Sequence, residues 1–152
     1  MKAVFQRVYN ASVTVDERTT GSIGAGALIL LGVLREDTEA HAKLMAQKIA
    51  NLRVFTDADD KMNLSLLDIG GEALVVSNFT LAANCSHGRR PEFFAAARPE
   101  QAEPLYELFM DELRACGIRV ASGEFGADMT VTMNGEGPVT ILLDTADWEK
   151  KG

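Results

Sequence analysis

Hydrophobic and polar residues alternate through most of the first fifteen positions of the chain. The alternation covers residues 2–9 and 11–15, which predicts a pair of half-buried strands. Residues 17–26 are rich in Thr, Ser and Gly and predict a turn after this pair. Residues 27–33 (ALILLGV) form a continuous apolar run, which is typical of a strand covered on both faces. We therefore expect this last strand to be central in a sheet.

Two segments place their apolar residues at helical spacing. The first predicts a helix over roughly residues 38–52, beginning after a capping oxygen at Thr38. The second has its apolar face over residues 102–116, and Gly117 supplies the end of that helix. Because proline is tolerated only near the start of a helix, we expect Pro104 in its first turn.

The remaining apolar stretches are short and predict strands. A polar loop over residues 56–61 and a hairpin-like Gly70-Gly71 separate some of them. The predicted strands cover residues 53–55, 72–81, 118–121, 129–133 and 139–143. No repeat or linker interrupts the pattern, so we expect one mixed α/β domain over residues 1–152.

Composition and charge limit the possible partners. The longest apolar run is too short to cross a bilayer, and the first residues lack a signal-peptide pattern. We therefore expect a cytoplasmic protein without a membrane partner. The formal net charge of −7 argues against non-specific binding to long nucleic acids, and we expect no DNA partner. A partner held at one small spot is compatible with this charge.

Polar residues follow an apolar strand at Ser77, Asn78 and Thr80, around Phe79. One interpretation is a strand that simply becomes exposed at its end. The other is a functional site, because catalytic and binding groups often lie where a buried strand ends. The segment does not fit the G-x-S-x-G pattern of α/β-hydrolases.

A glycine-proline pair, Gly137-Pro138, lies between two predicted strands. Such a pair is most often a tight turn. It can also present backbone groups close to a ligand, because glycine has no Cβ, and an X-Pro bond can be cis.

A compact basic cluster, His87, Arg89 and Arg90, stands out in an acidic chain. It is either a solvated loop or a phosphate contact for a short single-stranded RNA end. We expect no metal or organic cofactor. The acidic run over residues 57–60 lacks the glycine and closing glutamate of a calcium loop, and two separated histidines do not suggest zinc.

Several segments, taken in this order and spacing, resemble the D-aminoacyl-tRNA deacylase family over some 140 residues. They are residues 6–8 (QRV), 21–32 (GSIGAGALILLG), 52–55 with 61–63 (KMN), 77–81 (SNFTL), 88–93 (GRRPEF), 123–129 (GEFGADM) and 137–140 (GPVT). The resemblance implies an α/β fold in which mixed β-sheets form a barrel-like sandwich with two main helices. It also implies a hydrolase that cleaves the ester of D-aminoacyl-tRNA, and of glycyl-tRNA(Ala), as chirality proofreading in translation.

The resemblance further implies a homodimer whose active sites lie at the interface and hold the aminoacylated 3′ end of tRNA. Gly137-Pro138 would be a cis peptide from the partner subunit that excludes L-amino acids, with Arg7 bracing it. Residues 77–80 would form the catalytic segment, with a backbone N–H near Phe79 as oxyanion donor. Thr80 matches the family threonine that has been considered as a nucleophile. Other substrate-binding positions implied are Phe125, Ala127 and Met129.

Two positions depart from the family pattern. Asn78 stands where the family has glutamine, and Gly135 stands where it has asparagine, with Asn134 displaced by one position. On a regular strand Asn134 would point to the opposite face, unless the strand bulges. These departures motivate a second hypothesis, a non-catalytic homodimer that binds an RNA end or a small ligand. A third hypothesis is an esterase that uses Ser77 or Thr80 as nucleophile with His87 as base.

Overall fold

One long strand, β1 (Lys2–Val15), organises the sheet in this computed structural model, which describes residues 1–149. On one side β1 pairs antiparallel with β3 (Gly26–Gly32) and, farther along, with β2 (Arg18–Ile23). On the other side it pairs antiparallel with β8 (Thr130–Asp144). The sheet continues from β3 through two parallel neighbours, β6 (Glu72–Ser77) and β7 (Arg119–Ser122).

The sheet curves until its two ends approach each other. Gly21 of β2 lies so close to β7 that an added Cβ would collide with the carbonyl group of Ser122. This close approach gives the sheet a barrel-like shape and confirms the predicted α/β architecture.

Two main helices, α1 (Glu39–Asn51) and α3 (Pro99–Ala115), pack against each other on one face of the sheet. Smaller elements complete the fold. These are β4 (Phe55–Thr56), β5 (Met62–Leu64), the one-turn helix α2 (Leu66–Ile69) and the 3-10 helices Phe79–Ala82 and Thr145–Trp148. No helix within residues 1–149 is long and apolar enough to span a membrane.

Both faces of the central strands are buried, which explains their continuous apolar sequence. Ile29 and Val75 belong to the core beneath the helices, whereas Leu28 and Leu74 belong to a second core inside the curved sheet. Because successive strand residues point to opposite faces, a strand with a core on each side has no polar face. The prediction that β3 is central is confirmed.

The predicted breaks near both ends of the chain were wrong. Residues 2–15 form one strand rather than two, and the Thr-rich segment after it is β2, reached through a turn at Asp16 and Glu17, which both have positive φ. Gly137-Pro138 does not join two strands by a turn, because it lies inside the continuous strand β8. When most side chains of a strand are exposed, apolar and polar residues do not alternate along it. Its sequence then resembles that of a turn.

Two further predictions about turns and helix starts were wrong. Gly70 does not form a hairpin, since it ends α2 in the left-handed conformation with φ of 62°. Pro104 lies in the second turn of α3 rather than the first, because the helix already begins at Pro99. The short helix α2 and strand β5 were not predicted, since three or four residues are too few for a period to show.

Candidate active site

A cleft of about 980 Å³ opens where β6 ends. Its wall includes all four residues of segment 77–80 together with Phe125, Ala127 and Met129 from the segment before β8. Apolar residues of β3 and β6, such as Leu28 and Val76, also line it. This volume and apolar lining with a few polar groups are typical of a ligand site.

The end of β6 brings segment 77–80 to the cleft. Ser77 is the last residue of β6 and pairs with Leu31 of β3. The amide of Asn78 donates to the Leu31 carbonyl at 2.8 Å, and the chain then turns into the 3-10 helix that starts at Phe79. In sheets with parallel strands, the carboxyl ends of the strands are the usual place for ligands.

Asn78 holds the start of this 3-10 helix through its side chain. Its Oδ1 atom accepts hydrogen bonds from the Thr80 amide at 3.2 Å and from the Thr80 hydroxyl. The Thr80 hydroxyl proton therefore points to an amide oxygen, which is not a base. This geometry does not activate Thr80 as a nucleophile.

The backbone amide of Phe79 has no hydrogen-bond acceptor in the described part of the chain. As the first residue of a short helix, it has no partner within that helix. Phe79 is 58% exposed, and its ring meets that of Phe93 edge-on, with ring centroids 5.1 Å apart. A free, fixed N–H in a cleft can stabilise negative charge on a carbonyl oxygen.

Within residues 1–149, no histidine is placed for a conventional dyad at this site. His87 is exposed on the loop between Asn84 and Glu92, whose backbones pair with each other, and it makes no hydrogen bond to Ser77 or Thr80. Within residues 1–149, no group of three His, Cys, Asp or Glu side chains is arranged to hold a metal ion.

The Gly137-Pro138 peptide is cis, as the resemblance implies. It lies where the pairing of β8 with β1 slips twice, between Gln6 and Val8 and again between Val8 and Asn10. The first slip leaves several residues of β8 without partners in β1, so the strand bulges there. Asn134 lies beyond the bulge, and its side-chain amide donates to the Asn10 side chain at 3.0 Å.

Arg7 supports this bulge from β1. Its side chain is buried, and Nη1 donates to the Val54 carbonyl at 2.9 Å and to the Thr56 hydroxyl at 3.3 Å. Nε lies 3.3 Å from a carboxylate oxygen of Glu136, an ion pair without the geometry of a hydrogen bond. A Cβ added at Gly137 would lie 3.5 Å from Nη2, so the guanidinium is directly beside the glycine.

The structure brings some predicted site residues together and leaves others apart. The cleft contains segment 77–80 with Phe125, Ala127 and Met129. Neither the Gly-Pro pair with Arg7 nor the basic loop residues belong to its wall. These excluded residues are Gly137, Pro138, Arg7, His87, Arg89 and Arg90. Within one chain, the predicted site is therefore in separate pieces.

Sequence reasoning missed several residues that shape the cleft. Arg35 and Arg98 line it, although neither belongs to a cluster or motif. Tyr106 supports it from behind, since its hydroxyl donates to the Val75 carbonyl at 3.3 Å and its ring lies 5.7 Å from that of Phe125. Burial raises the pKa of Tyr106 to about 12. In the sequence, the only indication of a role for Tyr106 was its position on the apolar face of α3.

Comparison with known proteins gives matches over nearly the whole chain. A family model described as D-Tyr-tRNA(Tyr) deacylase matches residues 4–144. A protein named D-aminoacyl-tRNA deacylase from Roseiflexus castenholzii (strain DSM 13941 / HLO8) is 62% identical over 96% of this chain and 93% of its own. A protein of the same name from Thermus aquaticus is 52% identical over 97% of both chains.

Two solved structures share the fold. One, titled "c-Myc DNA Unwinding Element Binding Protein", has a TM-score of 0.89 and 44% identity over 95% of this chain and 98% of that chain. Another, titled "Structural Analysis of a probable eukaryotic D-amino acid tRNA deacylase", has a TM-score of 0.81 over 93% of this chain and 97% of that chain. At 18% identity, the second likeness shows the fold alone.

Proposed function

The chain belongs to the D-Tyr-tRNA(Tyr) deacylase family, and on this basis we propose that it hydrolyses the ester that joins a D-amino acid to the 3′ end of tRNA. The protein is thus a hydrolase, and aminoacylated tRNA is its substrate. The observation that carries the proposal to a particular site is the Phe79 amide, which lies at the large cleft and has no acceptor in the part of the chain that the structure describes. We place the enzyme in the cytoplasm because charged tRNA is made and used there.

Hydrolysis in this cleft needs a polarised carbonyl and an attacking water. In our proposal the ester carbonyl oxygen faces the Phe79 N–H, which stabilises the negative charge that develops as water adds to the carbonyl carbon. The bond from that carbon to the ribose oxygen then breaks, and the ribose oxygen takes up a proton. The neighbouring ribose hydroxyl helps to activate the water. Since Thr80 donates to Asn78, no protein hydroxyl is needed as a nucleophile.

The separation of the Gly-Pro pair from the cleft supports a homodimeric site. Strand β8 pairs only with β1 within residues 1–149, so its other edge is free. It also carries exposed apolar side chains, including Val131, Met133 and Leu142. In a monomer, a long free edge with exposed apolar residues promotes aggregation, whereas in an oligomer the same edge can form the interface. We propose a two-fold dimer in which Gly137-Pro138 of one subunit completes the cleft of the other.

This arrangement accounts for selection by chirality. Backbone groups at Gly137-Pro138 would fill the space that the side chain of an L-amino acid needs, while a D side chain would point out of the cleft. Selection would then depend on backbone position, which Arg7 stabilises from behind. Glycine has no side chain to exclude, so we propose that glycyl-tRNA(Ala) is also a substrate.

The decisive experiment removes the Phe79 N–H without removing the segment. Phe79→Pro deletes this donor, and proline is well accepted at the first position of a helix. Phe79→Ala is the matched control, since it removes the same ring but keeps the N–H. Wild-type protein should release D-tyrosine from D-Tyr-tRNA much faster than L-tyrosine from L-Tyr-tRNA.

Relative to Phe79→Ala, we expect Phe79→Pro to lower kcat by about 10²–10³-fold, the usual effect of losing one oxyanion donor. Equal rates for the two variants would show that this amide does not contribute to catalysis. Binding of D-Tyr-tRNA by the wild type without any release would instead favour the non-catalytic hypothesis.

A further inference from the structure

Two arginines lie in the cleft wall without a role in the chemistry described above. The charged residues that line the cleft are Arg35, Arg98 and Asp128, so the lining carries a net positive charge. This is notable in a chain of net charge −7. A local excess of positive charge in a cleft attracts an anionic part of a substrate.

Arg35 is held in place by its backbone and by an aromatic ring. Its amide donates to the Ala95 carbonyl at 3.0 Å, and its own carbonyl accepts from the Gln101 side chain at 2.8 Å. The guanidinium carbon lies 4.3 Å from the centre of the Phe94 ring, which is a cation–π contact. This contact restricts the guanidinium, so less conformational freedom is lost when it binds a ligand.

The charge of Arg35 is not neutralised by the protein. In the part of the chain that the structure describes, no carboxylate lies within 4 Å of the Arg35 or Arg98 side chains. By contrast, Arg114 and Arg119 each pair with a carboxylate. Phe94, whose ring lies beneath Arg35, is 72% exposed. Exposed aromatic rings combined with unpaired arginines are typical of sites for single-stranded nucleic acid.

We propose that Arg35, held over Phe94, binds the phosphodiester that joins the last two nucleotides of the tRNA. The inference rests on the proposed function, because it requires the aminoacyl ester to lie at Phe79 in the same cleft. The planar guanidinium can donate two parallel hydrogen bonds to phosphate oxygens, which a lysine cannot do. Arg98, in the same cleft wall, adds a second positive charge.

This assignment differs from the sequence-based expectation for tRNA contacts. His87, Arg89 and Arg90 do not belong to the cleft wall, although Phe93, just after their loop, does. A phosphate adjacent to the reacting nucleotide must lie at the cleft itself. The basic loop would then meet a more distant part of the tRNA, and Arg35 would position the terminal nucleotide.

The test uses three substrates that differ in their phosphates. D-Tyr-adenosine has no phosphodiester, D-Tyr-CpA has one, and D-Tyr-tRNA has all of them. For Arg35→Ala we expect kcat/KM to fall at least about 10-fold on D-Tyr-CpA and D-Tyr-tRNA, since losing even one hydrogen bond to a charged group has an effect of this size. The loss on D-Tyr-adenosine should be less than about 2-fold. With D-Tyr-tRNA, the slope of log KM against log salt should fall by about 0.7.

A matched control removes the same charge elsewhere. Lys43 is exposed on α1, outside the cleft wall, and Lys43→Ala should leave all three kcat/KM values and the salt slope unchanged. The phosphate site is refuted if Arg35→Ala loses nothing on D-Tyr-CpA, or if it loses equally on D-Tyr-adenosine. If wild-type protein hydrolyses none of the three substrates, the proposed function itself fails, which is a distinct result.

Discussion

Replacing Gly137 by alanine tests both the close packing at the bulge of β8 and the proposed chirality filter. Gly137 has φ of +123°, which residues with a side chain rarely adopt and which costs them about 1–3 kcal/mol. The new Cβ would also lie 2.7 Å from the backbone nitrogen of Val139 and 2.9 Å from its Cγ2 atom. A backbone atom cannot rotate away, so the strand must shift, at a cost of about 1–3 kcal/mol more.

A second glycine separates these two costs. Gly117, just after α3, has φ of +100° and open space where a Cβ would lie. Gly117→Ala therefore carries the backbone strain without the collision. Since 1 kcal/mol shifts Tm by about 2–4 °C in a chain of this size, we expect Gly137→Ala to melt at least about 2 °C below Gly117→Ala.

Activity should respond only at the bulge. A shifted backbone at Gly137 should weaken the exclusion of L-aminoacyl-tRNA, and each 1.4 kcal/mol lost is about a 10-fold change in the ratio of D to L kcat/KM. Deacylation of D-Tyr-tRNA and L-Tyr-tRNA measures this ratio, which should fall at least about 10-fold in Gly137→Ala and stay constant in Gly117→Ala. Equal melting temperatures would refute the steric argument, and an unchanged ratio in folded Gly137→Ala would refute the filter.

Three other predictions concern the Thr80 hydroxyl, the basic loop and an acid-sensitive contact. Thr80→Ala should keep kcat within about 10-fold, because the hydroxyl donates to Asn78; complete loss, with an acyl-enzyme seen by mass spectrometry, would indicate covalent catalysis instead. Replacing Arg89 and Arg90 together with alanine should raise KM for D-Tyr-tRNA and flatten its salt dependence, with kcat unchanged. An unchanged KM in protein with a native circular dichroism spectrum would indicate that the loop is solvated and does not contact the tRNA. A hydrogen bond from the Gly24 amide and another from Arg119 hold the pKa of Glu72 below its ordinary 4.5. Its charged form therefore stabilises the fold above pH 4.5, and this contribution disappears as pH falls through the lower native pKa. The stability difference between wild type and Glu72→Gln in urea should accordingly be present at pH 7 and shrink below pH 4.5, and a constant difference would contradict this reasoning.

The sequence predicted well those elements whose pattern reflects burial. The predicted apolar faces of the two main helices agree with the observed ones to within one or two residues. Strand β3 was correctly placed at the centre of the sheet. These segments each bury a continuous set of side chains, so their periodicity depends on the core alone. Where few side chains are buried, as in β2 and in the part of β8 around Gly137-Pro138, the sequence carried no equivalent signal.

The candidate site was predictable only in part, for a related reason. Segment 77–80 could be singled out because polar residues directly follow a buried strand. Arg35 and Arg98 could not, since isolated arginines are common on surfaces and only the fold brings these two into the wall of one cleft. The cis geometry of Gly137-Pro138 came from the resemblance to a family. Local sequence permits such a bond but does not require it.

The departure at Asn78 has a structural explanation that favours an active site. Asparagine can bend back to accept hydrogen bonds from the residue two positions later, as it does here with both the amide and the hydroxyl of Thr80. Glutamine, with one more methylene, closes such a turn less readily. Asn78 therefore fixes the first turn of the 3-10 helix and accepts the hydrogen bond that the Thr80 hydroxyl donates. The Phe79 amide, between these two residues, is left without an acceptor among residues 1–149. The shorter side chain thus fits a site in which the backbone, rather than a side-chain nucleophile, acts on the ester.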